Sequence, residues 1–346
     1  MSILVTGGAG YIGSHICVEL LNSNYDVIII DNLCNSKIET IRRIKEITGK
    51  GLKFYHKDLL DQNSLDLLFQ MNNIDAVIHL AGLKAVGESV QFPLMYYRKN
   101  IVSTMNLCEA MQMHDVKRLV FSSSATVYGA VTRVPIREDE IIQPTNPYGR
   151  TKAIIEQMLN DQYISDKSWS IAILRYFNPI GAHPSGLIGE DPKSIPSNLL
   201  PYISQVASGK LEKLNIYGSD YQTPDGTGIR DYLHVTDLAK GHLRALEKVM
   251  SSTGTDIYNL GTGKGYSVLD MILVFEKISG IPIPFQFVET RQGDVAISLA
   301  SPEKSKIILG WIAEKGIEEM CKDAWHWELN NSSGCSSDLM DAEKDA

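Results

Sequence analysis

The sequence lacks the marks of a disulfide or metal protein. Its cysteines, Cys17, Cys34, Cys108, Cys321 and Cys335, are odd in number and form no C-x-x-C pair. That argues against a disulfide framework and against a zinc site. Neither H-E-x-x-H nor an EF-hand loop is present, so no metal is expected. Dense Lys/Arg clusters are also missing, and 33 basic against 41 acidic residues leave a net charge of −8. Such a balance argues against nucleic acid or an anionic membrane as the main partner. No apolar run approaches the ~20 residues that span a bilayer. The N-terminus has neither the basic nor the apolar region of a secretion signal, so the expected location is cytoplasmic. No internal repeat is found.

What is present is alternation. Strand-like runs at Leu52 to Tyr55, Ala76 to Leu80, Leu119 to Phe121 and Ile171 to Leu174 each end in a polar or glycine-bearing turn. Between strands, Ile101, Met105, Cys108 and Met111 recur at helical spacing, as do Ile155, Met158 and Leu159. This is the pattern of repeated βαβ units. Proline and glycine become frequent after residue 178, and a helix is predicted over Asp270 to Ser279. The expected fold is α/β: a Rossmann-like, doubly wound parallel sheet over 1–178, to which later segments return. A smaller α/β substrate-binding domain is expected over 179–330, and 331–346 reads as a disordered tail.

The stretch TGGAGYIG, residues 6–13, follows the apolar run Ile3-Leu4-Val5 and precedes a helical pattern from Ile12 to Leu21. Glycine disfavours a helix by roughly 1 kcal/mol against alanine, so a compensating role is needed. A strand turning tightly into a helix aims free N–H groups and the positive end of the helix dipole at one point, where an anion binds. Gly7 suits the turn, Gly10 the approach of a pyrophosphate, and Gly13 close packing of helix on strand. A second strand, Val27 to Ile30, ends in Asp31, 18 residues past Gly13. A carboxylate there accepts hydrogen bonds from an adenosine ribose and repels a 2′-phosphate, which favours NAD over NADP. Further strand ends at Asp58, Ala81-Gly82 and Ser122-Ser123-Ser124 converge on the same crevice in such a sheet.

Tyr148 and Lys152, in YGRTK, are four apart and share one helix face. A free tyrosine titrates near 10, and half ionisation at pH 7 needs ~4 kcal/mol of differential stabilisation. A lysine ammonium and a positive nicotinamide are cations of the required sign. Arg98 and Lys99 read as a solvated turn.

The glycine loop, Ser124 and the Tyr148–Lys152 pair together resemble the extended short-chain dehydrogenase/reductase superfamily. The longer motifs RYFNPIGAHPSG (175–186), GEDP (189–192), DGTGIRDYLHVTDLA (225–239), YNLGTG (258–263) and DAWHW (323–327) resemble its UDP-galactose (UDP-glucose) 4-epimerases, over about residues 1–329. The resemblance implies that Tyr148 is the base at the sugar 4-hydroxyl. Ser124 would orient that proton, and Lys152 would hold the nicotinamide ribose. NAD would lie over Gly7, Gly10, Tyr11, Ile12 and Gly13, with Asp31, Asn32, Asn35 and Ser36 at the ribose and Asp58 and Leu59 at the adenine. Leu80, Ala81, Lys84, Asn100, Ser122 and Phe177 would complete the cofactor site. The UDP-sugar would meet Phe177, Asn178, Asn198, Leu199, Asn215, Ile216, Tyr217, Arg230, Arg291 and Asp294. Ser298 would border sugar C2, where a small residue admits an N-acetyl group. A homodimer through the stripes at 101–111 and 154–162 is implied as well.

A 4,6-dehydratase or decarboxylase on the same fold is the nearest alternative. A dehydratase would need an acid/base pair directly after the serine, where this chain has Ala125 and Thr126. A non-catalytic dinucleotide-binding regulator would have no use for Ser124, Tyr148 and Lys152 together.

Overall fold

The computed structural model describes residues 1–131, 133–191, 198–291 and 294–331. Cys335 and, except for Asn331, the tail expected over 331–346 lie outside these residues, as does Pro192 of the GEDP motif. The strands are β1 Ser2–Thr6, β2 Asp26–Asp31, β3 Lys53–His56, β4 Ala76–His79, β5 Arg118–Ser122 and β6 Ser170–Tyr176. They continue with β7 Asn178–Ile180, β8 Leu214–Tyr217, β9 Ile229–His234, β10 Gly254–Leu260, β11 Gly265–Ser267, β12 Phe285–Val288 and β13 Ile297–Ser298.

Seven of them form one parallel sheet in the order β10-β6-β5-β4-β1-β2-β3. Its inner strands are apolar on both faces because helices cover both. On one side helices Tyr11–Asn22 and Val235–Ser251 pack over Ile3, Val5, Ile29 and Ile78. On the other, Gln62–Met71, Ser103–Met113 and Pro147–Ser165 cover Leu4, Val77, Leu119 and Ile173. Cys17 and Cys108 are buried there, as expected of core residues. Of the helical stripe, Met111 is buried but Met105 is exposed.

The chain order reverses between β1 and β4, and a crevice opens there at the strands' carboxyl ends. Helix Val235–Ser251 and strand β10 belong to this sheet, so a cut at residue 178 is crossed by later segments returning to it. The remaining elements build two small sheets. One has β9 between β11 and β13, with β7 also paired to β9; the other pairs β12 with β8. Helices Leu199–Ala207, Val268–Ser279 and Ile317–Asn330 close a separate core around Phe275, Met271 and Met320. Among the described residues no helix is long and apolar enough to cross a membrane.

Candidate active site

The glycine loop owes its shape to close backbone approach. Gly7 has a φ of +72°, which favours glycine. A Cβ at Gly13 would stand 2.3 Å from the Gly7 carbonyl oxygen and 2.8 Å from Gly8 Cα, so only glycine lets helix Tyr11–Asn22 start against the turn. The Gly10 position is more open, its nearest atom 3.2 Å away, which leaves the space a pyrophosphate requires.

The crevice beside the loop is lined by Gly7, Gly10, Tyr11, Ile12, Gly13, Asp31, Asn32, Asn35 and Ser36. Asp58, Leu59, Leu80, Ala81, Lys84, Tyr148 and Lys152 line it too. Asp31 also organises the turn it ends. It accepts the Ala9 and Leu33 amides at 3.1 and 2.9 Å and the Ser36 hydroxyl at 2.8 Å. Asp58 accepts the Leu60 amide and the Asn32 side-chain amide, at 2.9 and 2.8 Å. Burial raises the Asp58 carboxyl, but these bonds and Lys99 outweigh it and leave it below the usual range. A backbone cradle, an acid at the second strand's end and a lysine at the far wall fit a dinucleotide with a free 2′-hydroxyl.

Lys99 departs from its sequence reading. Residues Tyr97–Val102 form a π-helical turn rather than a solvated loop, and Lys99 reaches the crevice wall with Nζ 3.4 Å from Asp58. Tyr176, Glu190 and Asp191 line the crevice as well and drew no role from the sequence. The motif containing Glu190 and Asp191 was the available signal. Lys84 pairs with Glu190 at 2.8 Å and Lys37 with Asp191 at 2.6 Å, ties that join the sheet's edge to the segment after β7.

Helix Pro147–Ser165 starts where Asn146 accepts the Gly149 amide at 2.8 Å and Pro147 takes the first position. Tyr148 and Lys152 thus fall in its first two turns. Lys152 Nζ donates to the Ser122 carbonyl at 2.8 Å and lies 4.8 Å from the Phe121 ring centroid. Burial lowers its ammonium to about 8, against the pull of Glu156. Burial raises the Tyr148 hydroxyl to about 12, which a hydrogen bond with Ser124 opposes. Without a second cation the phenol is therefore a poorer acid than free tyrosine. Reaching half ionisation at pH 7 takes about 7 kcal/mol, more than the 4 expected from sequence.

Three residues expected at the cofactor stand behind the crevice. Asn100 uses its amide on Leu83 N–H, the Leu83 carbonyl and the Thr151 hydroxyl, at 2.8, 3.0 and 3.0 Å. The Ser122 hydroxyl pairs with His242 at 2.7 Å, leaving its carbonyl to Lys152. Phe177 is buried with Val127, Tyr128, Ile136 and Ala300.

The expected sugar-nucleotide residues lie on the small sheets. On β8, Ile216 is buried while Asn215 and Tyr217 face outward. The Arg291 guanidinium lies 3.7 Å from the Tyr217 ring centroid. Arg230, on β9, pairs with Asp294, and Ser298 stands opposite Arg230 in the β9–β13 register. Asn198 begins helix Leu199–Ala207 and donates to Glu190 at 2.8 Å, with Leu199 beside it. Asn178 is an exposed residue of β7.

A crevice shaped for a dinucleotide, with a buried tyrosine and lysine in its lining and Ser124 beside the tyrosine, defines a nucleotide-dependent oxidoreductase type of site. The family model for the NAD dependent epimerase/dehydratase family matches residues 3–261. A UDP-glucose 4-epimerase of Bacillus subtilis (strain 168) is 60% identical over 97% of this chain and 99% of its own length. The structure of UDP-glucose 4-epimerase from Bifidobacterium longum, in complex with NAD+ and UDP, has a TM-score of 0.94 at 50% identity. The alignment covers 96% of this chain and all of that one. The UDP-Glc/GlcNAc 4-epimerase from Campylobacter jejuni has a TM-score of 0.83 at 34% identity, with 95% and 99% covered. The chain belongs to the NAD dependent epimerase/dehydratase family, and within it to the UDP-glucose 4-epimerases.

Proposed function

We propose that this chain interconverts UDP-glucose and UDP-galactose by inversion at sugar C4 through a transient 4-keto sugar, with NAD held throughout. The observation that carries this reading is the buried Ser124–Tyr148 pair, with Lys152 one turn on and both Tyr148 and Lys152 lining the glycine-loop crevice. NAD, when bound, supplies a hydride acceptor and a positive ring. The loop amides at Gly10 to Gly13 would hold its diphosphate, and Asp31 its adenosine ribose. Tyr148 takes the 4-hydroxyl proton, Ser124 orients that hydroxyl, and Lys152 holds the nicotinamide ribose and favours the phenolate. Arg230, Arg291, Asn215 and Tyr217 anchor the UDP, with Asp294 on its ribose, while the sugar turns to present its other face. Guanidinium groups suit the doubly anionic diphosphate.

Two working parts follow: 1–178 with the returning segment 235–260 for the cofactor, and the rest up to 330 for the UDP-sugar. The small Ser298 supports turnover of UDP-GlcNAc and UDP-GalNAc as well. The exposed Met105 and Ile154, on the helices expected to meet, support a homodimer.

Dialysed protein is expected to release NAD when denatured, and its absorbance in the reduced-nicotinamide band is expected to rise on addition of UDP-sugar. Protein that works only after NADP is added refutes the reading of Asp31. Protein that binds NAD but never inverts UDP-galactose refutes the reaction.

A further inference from the structure

Glu156 stands one turn beyond Lys152, so Tyr148, Lys152 and Glu156 succeed one another along one helix face. Its side chain is only 5% exposed, and that of its partner Arg175 only 1%. Arg175 holds both Glu156 oxygens, through Nη2 at 2.6 Å and Nε at 3.0 and 3.1 Å. Ser123, between the two serines of the site, donates its hydroxyl to Glu156 Oε1 at 2.5 Å. Arg175 continues through Nη1 to the Tyr128 hydroxyl at 3.0 Å and the Glu138 carbonyl at 3.1 Å. The Tyr128 hydroxyl then donates to Asn259 at 2.7 Å.

A buried ion pair is weak evidence for stability, because apolar residues of similar volume often serve the fold as well. The location of this pair is informative. It links the end of β5, which carries Ser124 and the Ser122 carbonyl, to the helix that carries Tyr148 and Lys152. Both reacting elements therefore converge on one carboxylate.

We propose that Glu156, held by Arg175, is a positioning residue for the reaction. Through Ser123 it sets Ser124 and the Ser122 carbonyl against Tyr148 and Lys152. The proposal rests on the catalytic roles given above.

The charge of Glu156 acts on Lys152 as well. Lys152 meets Glu156 on its own helix, the Ser122 carbonyl and the Phe121 ring on β5, and His79 on β4, with Tyr148 and Tyr176 lining the same crevice. Among these only Glu156 brings a negative charge. Neutralising it lowers the titration of Lys152.

The test is turnover of the NAD-loaded enzyme against pH for Glu156→Gln, Arg175→Lys and Ser123→Ala, with NAD content and melting measured on each. Glu156→Gln is expected to keep NAD and a KM for UDP-galactose within about threefold, while kcat falls on the order of 10- to 100-fold. The limb of its kcat/KM profile set by Lys152 is expected to move to lower pH. Arg175→Lys keeps the charge but loses the fork, so its limbs stay in place while part of the rate is lost. Unchanged kcat and limbs in folded Glu156→Gln overturn the proposal. So does a rate loss that merely tracks lost NAD-bound protein. If Glu156→Gln does not fold, Ser123→Ala decides: a several-fold lower kcat with unmoved limbs is expected, and a wild-type kcat overturns. Lys152→Ala separates the two readings. Normal turnover there refutes the catalytic assignment, whereas a crippled Lys152→Ala beside an unaffected Glu156→Gln refutes the positioning role alone.

Discussion

The two halves of the site are made of different material. The cofactor half is backbone: a glycine turn too tight for a Cβ, with strand ends whose carboxylates are bonded to local amides. The proposed sugar-nucleotide half is charged side chain. Arg230 pairs with Asp294 and Arg291 rests on Tyr217, on short strands of two separate small sheets. Backbone built this way holds one ligand in one place. Charged side chains on short strands suit a ligand that is exchanged at every turnover.

The largest effect is expected where the halves meet. Tyr148→Phe removes the base and touches neither half's binding groups, so turnover is expected to fall by about 10²–10⁴ with NAD retained. Lys152→Ala is expected to behave alike. Near-normal epimerisation by Tyr148→Phe would reject the base.

Acid is expected to weaken the cofactor half. Burial lowers His15 and His79 to about 3 and His242 to about 4. Their unfolded forms bind protons near 6.5, so the folded state gains nothing from acid until these lowered values are reached. Stability is complete above 6.5 and declines below it, by about 4 kcal/mol per pH unit between roughly pH 6 and 4 if all three act. Chemical denaturation at pH 7 and pH 5 measures the slope, and a flat profile contradicts it.

Gly13→Ala against Arg230→Met contrasts backbone with side chain directly. The Cβ of Gly13→Ala forces the loop off the helix, and a loss of ~1–3 kcal/mol of stability is expected, together with NAD. Arg230→Met is expected to leave melting and NAD content in place and to raise the KM for UDP-galactose. Equal melting losses would erase the distinction.

The smallest effect on the hexose reaction is expected from Ser298→Tyr. A ring at this position fills the space beside the sugar, so UDP-GlcNAc and UDP-GalNAc turnover is expected to vanish while UDP-galactose is still used. A wild type inert to the N-acetylated pair sinks this reading.

The parts of the site that lie close in sequence were legible there. Gly7, Gly10 and Gly13 announce a strand-to-helix turn, and the apolar runs mark the first six strands of the large sheet within a residue or two. Asn100, Ser122 and Phe177 were placed at the cofactor, yet their side chains turn to Thr151, His242 and Ile136, partners far away in the chain. Lys99 reads as a solvated cation until the π-helical turn carries it to Asp58.

The sequence by itself determined that Tyr148 and Lys152 share a face, because an α-helix repeats every 3.6 residues. It likewise determined that residues 6–13 make a tight strand-to-helix turn, because only glycine fits there without a Cβ in the way. The tertiary structure alone decided that β10 joins the first sheet, that Arg175 reaches Glu156, and that burial makes Tyr148 a weaker acid than free tyrosine. Those outcomes depend on contacts between distant residues and on exclusion of water, neither of which leaves a periodic mark in the chain.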